Sequence, residues 1–191
     1  MEIKPFLIAI SCIFLTASYT VVPETYEIAG TPSYPVISSS WQFSPQVVVC
    51  ERSELKKKNV TSAVGYWERL GYKFEPIIFA SDDNPSCVNG PRFGEIVMDM
   101  PSQEFDFTNL GQTKTYINGE LSLIIKARIE IQRAALTKER VLEHEIGHAL
   151  GWQHTRRSYH MMNPTWQRGG WDSIGLKYKR YSELIEEITD N

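Results

Sequence analysis

The chain has 191 residues, of which 42% are hydrophobic and 23% charged, and its formal net charge is −3. Those proportions suit one globular domain and exclude a disordered or fibrous chain. Lys56-Lys57-Lys58 is too short to track a phosphate backbone and reads as a solvated face, so nucleic acid is not an expected partner.

The first element is a leader. One lysine precedes an apolar run from Phe6 to Ala17, which predicts a secretory signal over residues 1–20, cut after small residues between Ala17 and Thr20. The alternatives are an uncleaved membrane anchor, because residues 6–22 barely reach spanning length, and lipidation of Cys12 after Ala9-Ile10-Ser11. Membrane contact is expected only in those two cases; otherwise the protein is secreted or periplasmic. Loss of the leader leaves Cys50 and Cys87, and an even pair in an exported chain predicts one disulfide, with two buried free thiols as the alternative. Residues 21–44, with Pro23, Gly30, Pro32, Pro35 and Ser38-Ser39-Ser40, predict an extended arm too short to fold as a pro-domain.

Elements then alternate. Gln46–Cys50 is an apolar strand, Leu55–Leu70 a helix ended by Gly71, and Phe74–Ala80 and Glu95–Met100 are further strands. Ser81-Asp82-Asp83-Asn84 offers oxygens for a calcium ion or forms an ordinary acidic turn. Thr113–Ile117 and Leu121–Ile131 flank Asn118-Gly119, a hairpin signal. In the second arm Leu121, Leu123, Ile125, Ala127, Ile129 and Ile131 alternate with mostly polar residues, which buries one face. The first arm is short and polar, as an edge strand should be.

The next helix carries the chemistry. It is expected to start at Thr137 as N-cap and to bury a stripe of Leu142, Ile146, Ala149 and Leu150. His144 and His148 stand one turn apart on another face, where two imidazoles can hold one ion. Gly151 can take a positive φ and turn the chain so that His154 approaches the same ion. Three neutral nitrogens leave a fourth position open, which is the mark of a catalytic rather than a scaffolding zinc. Zinc brings water to a pKa near 7, and Glu145, beside His144, is placed to take its proton and pass it to a leaving amine. Peptide hydrolysis is the expected reaction. The alternatives are an exported zinc-binding module without turnover and a zinc hydrolase of a non-peptide amide.

His144-Glu145-x-x-His148-x-x-Gly151-x-x-His154, followed eight positions on by Met162 in Tyr159-His160-Met161-Met162-Asn163-Pro164, resembles the metzincin metallopeptidases and most closely their matrixin branch. Trp171-Asp172-Ser173-Ile174-Gly175 is similar to that branch's Asp-Asp-Ile-x-Gly stretch, with one acid of the pair missing. The resemblance implies an α/β (α+β) fold: a twisted mixed sheet of about five strands, an active-site helix and a small C-terminal helical subdomain. The catalytic domain would then span 45–191, with an upper subdomain 45–154 and a lower one 155–191 that ends in a helix from about 173 to 188. It further implies Met162 as the Met-turn beneath one catalytic Zn2+, Pro164 and Trp166 in the pocket for the residue after the cut bond, and an edge strand, 113–117 or a neighbour, that pairs with extended substrate. Calcium often lies near this sheet in matrixins. A second structural zinc would need histidines outside 144–160, and none exist; no pro-segment cysteine motif is present to hold the enzyme latent. The expectation is a monomeric, zinc-dependent endopeptidase acting on protein or peptide substrates, with His160 left without a role.

Overall fold

The computed structural model describes residues 12–20, 31–119 and 121–178. Its centre is one mixed sheet. The strands are β1 (Cys12–Thr20), β2 (Ser40–Trp41), β3 (Gln46–Cys50), β4 (Glu75–Ala80), β5 (Glu95–Asp99), β6 (Asn109–Asn118) and β7 (Leu123–Ile131), in the order β1-β6-β7-β5-β3-β4, with β2 against β7. β3 runs parallel to β4 and β5, and β5 parallel to β7, while β6 and β1 are antiparallel. Two strands beyond the expected five, β1 and the two-residue β2, enlarge the sheet.

The helix α1 (Lys57–Arg69) makes the crossover between β3 and β4. Its buried residues, Val60, Ala63, Val64 and Trp67, recur at helical spacing and face the sheet beside α3 (Val141–Ala149). The main core lies here: Trp67, Ile96, Met98, Ile129, Ile146, Trp152 and Met162 are all within 2% of complete burial. The opposite face is smaller. Val48, Cys50, Ala80, Cys87 and Val97 cluster around the Cys50–Cys87 disulfide, which ties β3 to the short helix α2 (Pro85–Asn89). Beside it the buried Asp99 accepts from Arg52 at 2.7 and 2.8 Å and from Arg128 at 3.0 Å, so a charge taken out of water is fully paired.

Several expectations change. Residues 12–20 are a strand along β6, whereas residues 1–11 of the expected leader and 21–30 of the arm lie outside the described residues. Among the described residues no helix is long and apolar enough to cross a membrane. β6 is not a short polar edge: it has ten residues, most of them buried, and strands on both sides. Its polar side chains are used inward, since the Thr113 hydroxyl donates to the Glu145 carbonyl at 3.1 Å and that of Thr115 to the His148 carbonyl at 3.4 Å. The hairpin closes through four residues, 119–122, rather than the expected three, 118–120. A bulge between Tyr116 and Ile117 then pairs Ile117 with Ile124, which breaks the expected alternation and leaves Leu121 half exposed in the loop. α3 begins at Val141, not after Thr137. Residues 133–135 form a 3-10 turn first, and Arg140 is the N-cap at φ 70 with no side-chain capping bond. Ser173–Tyr178 is irregular, and the rest of the expected terminal helix, from 179 on, lies outside the described residues.

Candidate metal centre

α3 ends in a glycine turn that builds the site. Gly151 at φ 99 donates to the His148 carbonyl at 2.9 Å, and Trp152 donates to the Gly147 carbonyl at 3.0 Å, a Schellman closure that only a residue at ease with positive φ completes. A side chain at 151 would also place Cβ 1.9 Å from the Ser39 carbonyl oxygen, because the arm presses on the turn. The chain then reverses and returns His154 to the helix face.

His144, His148 and His154 converge through Nε2, at separations of 3.0, 3.0 and 3.3 Å. Three nitrogens bonded at about 2.0–2.1 Å to one tetrahedral ion stand about 3.3 Å apart, so the triad is already close to the span that zinc needs. The far ring nitrogens set the orientation. Nδ1 of His144 donates to the Met161 carbonyl and Nδ1 of His148 to the Trp152 carbonyl, each at 2.7 Å, so on both rings the Nε2 lone pair is the one turned to the shared point. Burial, and then mutual repulsion, hold His144 and His154 well below the usual imidazole range, and burial pushes His148 down to about 4. Neutral imidazole is the form that binds metal. Among the described residues this triad is the one group of three or more His, Cys, Asp or Glu side chains arranged to share an ion.

Glu145 is completely buried. Its Oε2 accepts from the Thr113 hydroxyl at 2.6 Å, whereas Oε1 has no partner among the described residues. Burial pushes its pKa up to about 8, with the Thr113 bond opposing. Gly111 of β6 makes room for it: a Cβ there would lie 2.8 Å from both Cγ and Oε1.

Met162 is buried beneath the helix, and its sulfur fits the notch at Gly147, where a Cβ would lie 2.5 Å from Sδ. His160 acquires a role here. Its Nδ1 accepts from the Met162 amide at 3.1 Å and its Nε2–H donates to the Ile174 carbonyl at 3.0 Å, so it ties the methionine turn to the segment after it. Pro164 is buried just past the turn. Trp166 reaches the start of α3, where its indole N–H donates to the Glu139 carbonyl at 2.9 Å and Lys138 and Arg140 stand 4.5 and 5.3 Å from its ring centre. Cys50 and Cys87 form the disulfide on the opposite face of the sheet. In the acidic turn, Asp82 accepts from the Arg52 amide and Asn84 caps α2, each at 2.9 Å, and the Ser81 hydroxyl donates to Asp83, so three of these side chains serve the turn and the cap.

Thr113, Gly111, Gly147 and the carbonyls of Met161 and Trp152 were not among the residues expected at the site. Only Gly147, an isolated glycine inside a helical pattern, carried a signal in the sequence.

The chain matches the family model described as matrixin over residues 39–179. No curated protein and no solved structure shows significant similarity to it.

Proposed function

The chain belongs to the matrixin family, whose members are zinc-dependent peptidases, and on that premise we propose that it is an endopeptidase with Glu145 as general base. His144, His148 and His154 would hold the ion, which when bound supplies a water acidic enough to give hydroxide near neutral pH and a Lewis acid for the peptide carbonyl. The observation that carries the reading is the convergence of three neutral imidazoles next to a carboxylate with one free oxygen. Thr113 holds Oε2, which leaves Oε1 to accept the water proton and then deliver it to the leaving amine. A module that only stored metal would gain nothing from burying a carboxyl group, which costs free energy unless it is fully hydrogen-bonded or paired, and Oε1 has no partner among the described residues.

Substrate would lie extended along the edge of β6 that residues 12–20 cover in this structure, where it would find backbone pairing, and Trp166 with Pro164 would flank the residue after the cut bond. In this arrangement 45–154 would be the upper wall of the cleft, and the described part of the lower subdomain, 155–178, the lower one. The disulfide suits an oxidising compartment, in line with export by a leader over residues 1–20 and action as a secreted or periplasmic monomer.

The test is incubation of zinc-loaded protein with casein, with and without a chelator, beside Glu145→Ala. Cleavage that the chelator stops and the variant lacks, at unchanged zinc content, is the expected result. Wild type that retains zinc and leaves casein whole would refute the assignment.

A further inference from the structure

A cavity of about 660 Å³ stands apart from the metal centre: none of His144, Glu145, His148 and His154 lines it. That is the size of a site for a small organic molecule. Its walls come from the arm at residues 37–45, the segment between α1 and β4, Leu150 after α3, and Tyr178. Four aromatic residues dominate them, Trp41, Phe43, Tyr72 and Tyr178. Tyr72 and Tyr178 meet edge to face with ring centres 5.4 Å apart, and the Trp41 indole N–H donates to the Ala149 carbonyl at 2.8 Å. Phe43 and Tyr178 nevertheless remain 66% and 48% exposed. Aromatic surface is therefore held in place while part of it stays unfilled.

The polar lining is sparse. Ser40 is 8% exposed, and its Oγ has no hydrogen-bond partner among the described residues. A hydroxyl taken out of water without a bond costs free energy that a ligand's polar group recovers. Lys73 and Glu75 both line the cavity, and among the described residues neither is ion-paired. They stand two apart where the chain extends into β4, so their side chains leave on the same side about 7 Å apart. Opposite charges at that spacing match the two ends of an α-amino acid, with one hydrogen bond at each end.

We propose that this cavity binds a free aromatic amino acid, its ring against Trp41, Phe43 and Tyr178, its carboxylate on Lys73 and Ser40, and its ammonium on Glu75. The site stands whether or not the protein is a peptidase, since the ligand is held and not cut.

The readout of the test is binding, not turnover. Zinc-loaded full chain, dialysed free of excess zinc, is titrated calorimetrically with phenylalanine. Three further titrations use phenylpropionate, which lacks the ammonium, phenylethylamine, which lacks the carboxylate, and glycine, which lacks the ring. Phenylalanine is expected to bind one to one with Kd about 0.1–1 mM, as suits a ligand of about a dozen non-hydrogen atoms. Each aromatic analogue should bind about ten-fold more weakly, and glycine not measurably. Lys73→Gln and Glu75→Gln, at exposed positions, should each weaken phenylalanine about ten-fold and leave the thermal midpoint unchanged. In nitrogen–proton NMR spectra the Trp41 indole signal should move on titration while those of the His144, His148 and His154 rings stay. Absence of binding overturns the proposal. Analogues as tight as phenylalanine, or variants as tight as wild type, overturn the role of the charge pair and with it the ligand class. Movement of the histidine signals instead of Trp41 puts the ligand in the metal cleft and overturns the site. Overhauser contacts between residues 179–191 and Trp41 in the free protein overturn it too, because the chain's own end then fills the cavity.

Discussion

Gly147 shows how little room the site leaves. The Met162 sulfur and Trp67 Cζ2 lie 2.5 and 2.7 Å from where its Cβ would be, and both belong to fully buried side chains that cannot swing away. Gly147→Ala is expected to cost about 1–3 kcal/mol by overpacking, read as a lower urea midpoint of the zinc-loaded protein. A midpoint equal to wild type would mean that the methionine turn yields. His160 makes a prediction in pH. Burial lowers its pKa from the ordinary 6.5, against the bond to Ile174, and its Nδ1 must stay unprotonated to accept the Met162 amide. Because the folded-state pKa lies below the unfolded one, its contribution is complete above pH 6.5 and is lost as pH falls through the lowered value. Thermal midpoints of zinc-loaded wild type should therefore fall more steeply below pH 6.5 than those of His160→Gln; parallel curves would rule the tie out. The convergence of His144, His148 and His154 with Glu145 beside them was legible because their spacing is local to one helix and its turn. The partner of Glu145 was not: Thr113 is 32 positions away, and only the folded sheet brings it near.

Among the elements, α3 and β6 teach opposite lessons. The expected stripe of Leu142, Ile146, Ala149 and Leu150 does lie in the core, since helical periodicity needs only one chain segment, but every other residue of α3 is buried too, which periodicity did not foretell. β6 was mistaken for an edge because polar residues usually mean solvent, and here Thr113 and Thr115 turn their hydroxyls to carbonyls of α3. The start of α3 was misplaced for a related reason. Residues 133–135 form a 3-10 turn first, and the backbone of Arg140 at positive φ, not a side chain of Thr137, opens the helix. The disulfide between β3 and α2 closes a loop of 37 residues on the face of the sheet away from the site. Replacing Cys50 and Cys87 by alanine should remove about 3–4 kcal/mol in the chain-entropy model and leave kcat on casein near wild type. A collapse of kcat at a temperature where the variant is still folded would show that the two faces communicate.

At the scale of the molecule, a zinc ion held by the triad would act as a lever on stability. Three imidazoles directed at one point, two buried and one half-buried, bind an ion only when the fold has assembled them, so zinc should raise the thermal midpoint as any ligand of the native state does, by about 4 kcal/mol when free zinc exceeds its Kd a thousand-fold. Calorimetry with chelator, then with zinc restored, should show the midpoint fall and recover. An unchanged midpoint would mean that the triad does not hold the ion.

The arm beside Gly151 also sets a clock. Ser38 donates to the Gly151 carbonyl, Gln153 to that of Val36 and Arg156 to that of Pro32, at 3.0, 2.9 and 2.8 Å, so the strand behind the third ligand comes from the opposite end of the sequence. Contacts that span over a hundred residues close late, because the intervening chain must be ordered first. During synthesis the two ligands on the helix precede the grip on His154, and the ion can be fully held only once the arm has docked. If the triad holds zinc, full binding is expected to follow the docking of the arm, as one of the later events of folding.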